Sequence, residues 1–419
     1  RVTSDECERN VNTEHPVLVI ARYSPLATRH CLLALSSAVL LIISFPNFNQ
    51  PYCAWVALVP WLVALRRMTP RQAFGWSYLI GLVFFLGSIW WLIHVTVLGW
   101  LLLCAYLAVY FGLFGWLTRR FTLHASRFTL LFVPSAWVAL EYARSHLLSG
   151  FGWNLLGYSQ TPALSAIQFA DLTGVWGVSF LLVMMNAAIA DWIAGSRARH
   201  ARVGVAAAVL GVAASWAYGD WRLHQPAQGT PVRIAVVQGN IPQEEKWDEP
   251  FQQSILERYA RLTREAGTHH PDVILWPETS VPGVLGLEEA ATTRMTELAR
   301  ATRASLVVGA PMGVLRGGVW HLTNSAALLD AGGTVTTRYN KLHLVPFGEF
   351  VPFESVAPWL RGVLPPIGNF VPGKDYTVFT VPIRKSEVGS RNDHSAFPIP
   401  HSALRFSVLV CFEDIFPDL

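Results

Sequence analysis

RFSVLVCFED, residues 405–414, decides how this 419-residue chain is read. An apolar run with interleaved β-branched residues ends on Cys411, and Glu413 and Asp414 follow at once. Such a run predicts a buried strand with the thiol at its tip. Cys411 is the only cysteine downstream of Cys104. A lone thiol on an apolar strand is often a core residue, so the other strand ends decide between packing and chemistry. LWPETSVP places Glu278 after the run VILW, and TRYNKLHLVPFGEF supplies Lys341 and Glu349. A thiol, a carboxylate and an ammonium brought together provide a nucleophile, a base and a stabiliser of developing negative charge.

Around these ends the pattern alternates. VRIAVVQGNIP, VILWPE and SLVVGAP read as strands, and NSAALLD turns through Gly332–Gly333 into TVTTRYNK. Helical periodicity separates them in QQSILERYARLTREAG and EEAATTRMTELARATR. Strands alternating with helices, then hairpins, predict an α/β sandwich with its active groups at strand ends. PIRKSEVGSRNDHSAFPIPHS reads as a solvated loop. The sandwich is assigned to residues 230–419.

The upstream half is different. The chain is 52% hydrophobic and 14% charged, against about 25% charged in ordinary soluble domains. About seven stretches approach the roughly 20 apolar residues needed to cross a bilayer. They are Cys31–Phe45, Cys53–Leu65, Phe74–His94, Val97–Leu117, Phe128–Leu147, Leu172–Ala194 and Val203–Tyr218. The first two are short, and a hairpin that only partly crosses is the alternative there. Arg66, Arg67 and Arg71 follow the second stretch, Arg119, Arg120 and Arg127 the fourth, and Arg197, Arg199 and Arg202 the sixth. The intervening loops carry no Lys or Arg. By the positive-inside rule residues 1–29 form a cytoplasmic segment, residues 30–222 a membrane domain, and everything after Asp220 lies outside. Glu141 and Arg144 sit three apart on one helix face, as a pair that orients the following loop. Asp191 and His94 read as solvated span ends. Because the chain starts on Arg1, a fragment or a shifted gene start is expected.

Several functions lack their signals. The net charge of +4 resides in loops between spans and argues against nucleic acid. His269, His270 and His343 lack metal-ligand spacing, so no metal is expected. GxGxxG, P-loop, GxSxG and CxxC motifs are absent, and no cofactor is expected. Charges at mid-bilayer depth, which a transporter needs, are also missing.

LWPE, YNKLHLVPFGEFVP and VCFED together resemble the nitrilase superfamily. VQGNIPQEEKWD, FGWNLLGYSQ and the preceding spans are similar to the apolipoprotein N-acyltransferase family. The likeness covers nearly all of the chain from about Cys31. It implies a multi-pass α-helical membrane domain followed by a nitrilase-like α-β-β-α sandwich. By the same likeness Glu278 is the general base, Lys341 the oxyanion-stabilising amine and Cys411 the nucleophile. Glu349 and Glu413 match further functional carboxylates, and Trp247 and Asn324 match positions near the site. The family's usual Tyr after the cysteine is Phe412 here, and its FPW is FGW, with Gly152 in place of Pro. The family continues beyond the cysteine, so the sandwich is expected to be incomplete at its C-terminus.

The resemblance further implies an acyl transfer in the bacterial cytoplasmic (inner) membrane, with the catalytic domain on the periplasmic side. Its partners would be a phospholipid donor, commonly phosphatidylethanolamine, a diacylated apolipoprotein acceptor and membrane lipid. FGEFVPFESVAPWLRGVLPPIGNFVPG is unusually apolar for a water-facing loop. Phe350, Phe353, Trp359, Leu360 and Leu364 are expected to form a lid dipping toward lipid, with packing against the sandwich as the alternative. Two rivals remain at this stage: a membrane-tethered amidase that passes its acyl group to water, and a non-catalytic membrane receptor.

Overall fold

The computed structural model describes residues 25–122, 129–195, 198–226, 229, 231–242, 245–246, 248–346, 348–351, 369–383 and 403–416. Helices fill the first half: α1 Pro25–Ile43, α2 Pro51–Ala54, α3 Val59–Leu65, α4 Pro70–Ser88, α5 Val97–Phe121, α6 Thr129–His146, α7 Leu164–Ile167, α8 Ala170–Ile193 and α9 Ala198–Leu223. Helix α4 starts on a capping box in which Thr69 accepts from Gln72 N and the Gln72 side chain accepts from Thr69 N, satisfying two otherwise orphaned donors. Among the described residues α5, α8 and residues 201–223 of α9 are long and apolar enough to cross a membrane.

The stretch expected to cross as Cys53–Leu65 is not one helix. It breaks between α2 and α3, and Pro60 at the start of α3 has no N–H to carry a helix through. Backbone groups freed in an apolar setting need partners, and two side chains supply them. Buried Asn186, on α8, accepts from Leu58 N at 2.8 Å and donates to Ala54 O at 2.9 Å. Gln160 donates to Pro51 O at 2.9 Å and accepts from Trp55 Nε1 at 3.0 Å. Replacing Asn186 by Leu strands both backbone groups, and unpaired buried groups cost about 1–3 kcal/mol each. Asn186→Leu is therefore expected to lower stability by about 2–4 kcal/mol, read as a falling thermal midpoint in detergent micelles.

Trp61 anchors the centre of this half. Its ring stacks on Phe111 at 5.6 Å and meets Phe114 and Trp137 edge-on, while Nε1 donates to Ser77 Oγ at 2.8 Å. Asp191, read as a solvated span end, instead pairs with Arg66. Arg144 donates to Trp153 O at 2.8 Å and Asn154 O at 3.3 Å, and Glu141 accepts from Leu156 N at 2.7 Å. The expected loop-orienting role of these two residues is what the contacts describe.

The second half carries a five-stranded sheet of β1 Ile234–Val236, β2 Val273–Leu275, β3 Ser305–Arg316, β4 Val319–Leu329 and β5 Val335–Asn340. The first three strands are parallel, and β3–β4 and β4–β5 are antiparallel. Helices α10 Gln252–Gly267 and α11 Glu289–Thr302 cover one face, where Ile255, Tyr259, Met295 and Leu298 pack against Ile274, Leu306 and Val308. On the other face Val307, Ala326, Leu328 and Tyr339 meet Phe379, Val381 and Val410. Phe379 and Val381 belong to a second sheet of β6 Phe379–Pro382 and β7 Ala403–Phe406. The described residues thus stack as helices, sheet and second sheet, three of the four layers of the expected α-β-β-α sandwich. The expected strand through FSVLVCFED is shorter than read, because β7 ends at Phe406 and a 3₁₀ turn begins at Cys411.

Candidate active site

Glu278 follows β2 on a turn that crosses β3. Trp276 N donates to Val307 O at 2.8 Å and Ser280 N to Gly309 O at 2.9 Å. A side chain at 309 would put its Cβ 2.3 Å from Pro277 O, so only glycine lets the turn lie this close to the strand. Thr279 then takes a left-handed φ of 43°.

Lys341 follows β5 directly. Its backbone N donates to Asn324 O at 2.8 Å, and its side chain is 1% exposed. The ammonium lies 3.3 Å from Glu278 Oε1 and 2.9 Å from Glu349 Oε2. Asn324, on β4, joins the same two acids by donating to Glu278 Oε1 at 2.6 Å and Glu349 Oε1 at 2.7 Å. Glu349 also accepts from Val345 N at 2.8 Å. Two carboxylates therefore share one ammonium and one amide. Burial favours the neutral amine, but Glu278 and Glu349 outweigh it and raise the Lys341 pKa.

Cys411 has φ 53°, a left-handed conformation rare outside glycine and asparagine. At that turn its thiol feels the charges of Glu278 and Lys341. The residue is exposed as a whole, yet its sulfur loses enough hydration that desolvation is the first cause of its shift. The Glu278 charge and a hydrogen bond to that carboxylate add to it, and Lys341 opposes it; the thiol is pushed up to about 11. Of the residues expected at the site, Glu278, Lys341 and Glu349 meet, joined by Asn324 from the middle of β4, and the Cys411 thiol feels the Glu278 and Lys341 charges.

Glu413, expected as a further functional carboxylate, is engaged by backbone and phenol donors. It is fully buried and accepts from Tyr339 Oη at 2.7 Å, Leu342 N at 2.6 Å, His343 N at 3.1 Å and Val410 N at 2.9 Å. One carboxylate thus ties the residue after Lys341 to the residue before Cys411. Desolvation first, then the hydrogen bond to Glu413, raises the Tyr339 pKa, so the phenol stays a donor.

The membrane half reaches this turn. Trp153 meets Phe412 edge-on at 5.4 Å, and Phe412, Ile415 and Phe416 form an apolar cluster with Trp153 and Val345. A Cβ at Gly152 would come 2.3 Å from Ile415 O. The loop and the nucleophile's turn touch so closely here that this backbone position holds glycine.

One neighbour was missed in the sequence. Lys246 donates to Glu278 O at 3.0 Å. It sits in a short turn with neither strand nor helix periodicity, so only its place beside Trp247 in QEEKWD marked it out. Phe350 is half-buried in an isolated bridge to Pro346. Trp247, Phe353, Trp359, Leu360 and Leu364 lie outside the described residues.

Comparison with known proteins agrees with this architecture. Residues 37–188 match the family described as apolipoprotein N-acyltransferase N-terminal domain, and residues 233–419 match carbon-nitrogen hydrolase. An apolipoprotein N-acyltransferase from Geobacter metallireducens is 37% identical over 413 residues, covering 95% of this chain and 75% of that protein. Those of Brucella suis and Nitrosomonas europaea are 29% and 30% identical, over 93% and 84% of this chain and 75% and 67% of theirs. Among solved structures, a nitrilase-superfamily amidase from Nesterenkonia AN1 aligns at 22% identity with a TM-score of 0.25, over 35% of this chain and 51% of its own. With both halves matched in order and a relative 37% identical over 95% of this chain, the chain belongs to the apolipoprotein N-acyltransferase family.

Proposed function

We propose that this protein transfers a fatty acyl chain from a phospholipid, through a thioester on Cys411, to the α-amino group of a diacylglyceryl-cysteine at a lipoprotein N-terminus. The observation that carries the reading is the meeting of Glu278, Lys341 and Cys411 from separate strand ends in a chain with apolar helices of membrane-crossing length. In the first half-reaction the Cys411 proton passes to Glu278 as the sulfur attacks the ester carbonyl carbon. The Lys341 ammonium faces the oxygen that becomes negative. The carbon–oxygen bond breaks, and Glu278 returns the proton to the leaving lysophospholipid alcohol. In the second half-reaction the acceptor amine attacks the thioester, loses a proton to Glu278, and the sulfur leaves and is reprotonated. The sequence is ping-pong.

With its thiol pushed up to about 11, Cys411 rests protonated, so acylation needs a base in place and does not rely on a preformed thiolate. Phosphatidylethanolamine as donor, seven crossings and a periplasmic catalytic half follow from the family likeness and the arginine pattern. Domain limits of 30–222 and 230–419 accord with the break between α9 and β1. By the sequence pattern Phe350, Phe353, Trp359, Leu360 and Leu364 would form a lid dipping toward lipid.

Labelled phospholipid supplied with a diacylated peptide tests the reading. N-acylated peptide and lysophospholipid are expected, with a thioester at Cys411 when the peptide is omitted. Free fatty acid as the sole acyl product would establish hydrolysis instead. The match of residues 37–188 to the acyltransferase N-terminal domain favours transfer over a tethered amidase.

A further inference from the structure

Glu278 is held at two points by two different lysines. Lys341 and Asn324 fix its carboxylate through Oε1, while Lys246 fixes its backbone carbonyl at 3.0 Å. The second contact falls on a strained point of the chain. The residue after Glu278 is Thr279, β-branched and at φ 43°, a conformation that crowds its side chain against the backbone. The strain would be relieved by rotating the peptide plane between 278 and 279. That rotation would turn the Glu278 carbonyl away and, though it leaves the Glu278 Cα–Cβ bond nearly in place, would free the turn from which the side chain projects to shift. A hydrogen bond from an ammonium to that carbonyl opposes the rotation, and charge-assisted bonds are the stronger kind.

Lys246 is itself fixed in place. It sits in a turn closed by Glu245 N to Pro242 O and Asp248 N to Glu245 O, both at 3.2 Å, and it is half-buried beside a cavity lined by Gln238, Asn240, Tyr259 and Ser280. Its ammonium also feels the Glu278 carboxylate and the Cys411 sulfur. Desolvation lowers its pKa, and those two groups offset part of that. Among the described residues, Glu278, Lys341 and Lys246 act on the thiol, with Glu349 behind Lys341.

We infer that Lys246 is a positioning residue for the acylation of Cys411, bracing the turn that carries Glu278 so that its carboxylate stays in reach of the thiol. The inference rests on the reading of Glu278 as the base. It assigns a role in the reaction to a side chain that need not touch the substrate. Misplacing a catalytic group by about 1 Å can cost about a hundredfold in rate, which sets the scale of the effect.

The test is single-turnover acylation of Cys411 by labelled phospholipid in the full chain, with Lys246→Met, Lys246→Arg and Glu278→Gln compared. Lys246→Met is expected to slow acylation by about tenfold to a hundredfold, with the phospholipid concentration for half-maximal rate unchanged. Lys246→Arg, which keeps a cationic donor, is expected to recover most of the rate. Acylation at the wild-type rate in Lys246→Met, where Glu278→Gln is inactive, would overturn the positioning role and leave the base intact. Equal losses in Met and Arg variants, each with a lowered thermal midpoint, would assign Lys246 to structure alone and overturn it as well. Wild-type acylation in Glu278→Gln would remove the base, and the inference with it.

Discussion

Glu278→Gln is expected to move two properties of Cys411 in opposite directions. The thiol of the wild-type protein is pushed up to about 11, by desolvation first and then by the Glu278 charge and hydrogen bond. Glutamine removes the charge and keeps the shape. The thiolate is then opposed by one negative group fewer, so the pKa of Cys411 falls and alkylation by iodoacetamide at a fixed mildly alkaline pH becomes faster. Acylation by phospholipid nevertheless loses its proton acceptor, and general-base catalysis contributes about 10²–10⁴-fold. Lys341→Met gives the complementary result: loss of the ammonium raises the thiol pKa further, alkylation slows, and acylation falls with it. Alkylation at Cys411, located by peptide mass spectrometry across a pH series, checks both signs. A variant in which alkylation and acylation fall together after Glu278→Gln would mean the carboxylate only shapes the turn.

The second large effect belongs to Glu413. Four donors converge on its carboxylate: Tyr339 Oη, Leu342 N, His343 N and Val410 N. In Glu413→Ala all four lose their acceptor within a closed interior. At about 1–3 kcal/mol for each unpaired buried group, the expected loss exceeds about 3 kcal/mol even with partial rehydration. Activity is expected to vanish as well, because the same oxygens register the Lys341 segment against the Cys411 turn. Thermal unfolding in detergent measures the first loss and thioester formation the second. Retention of thioester in a destabilised protein would separate the two roles and show that the register is held by packing.

How much of this could be read in advance varied with the kind of signal. Helices α10 and α11 coincide with the periodic runs QQSILERYARLTREAG and EEAATTRMTELARATR, because a single buried stripe sets their spacing. Glu278 and Cys411 stood out because each ends an apolar run, and Lys341 because it follows the return strand of a hairpin. The end of β7 at Phe406 did not. Ser407 to Val410 look like strand residues, but Cys411 needs a left-handed turn that no propensity encodes. Glu413 was legible as a polar residue beside the thiol, yet its partners are mostly backbone N–H groups, which leave no mark in a sequence. Lys246 and Asn186 were hidden for a similar reason: each satisfies a carbonyl far along the chain. The shortness of Cys53–Leu65 hinted at a partial crossing, but the break after Ala54 is made tolerable by two distant amides, Asn186 and Gln160.

The contact between Trp153 and Phe412 has a further bearing on how the two halves depend on each other. Phe412, Ile415 and Phe416 pack against the loop of residues 150–154 as well as Val345 and His343, outside the sandwich core. Cut free at the α9–β1 junction, the sandwich would present three greasy side chains to water on the very turn that bears the thiol. A water-soluble excision is thereby a poor stand-in for the intact protein: its reactive turn would have lost the surface against which it is seated.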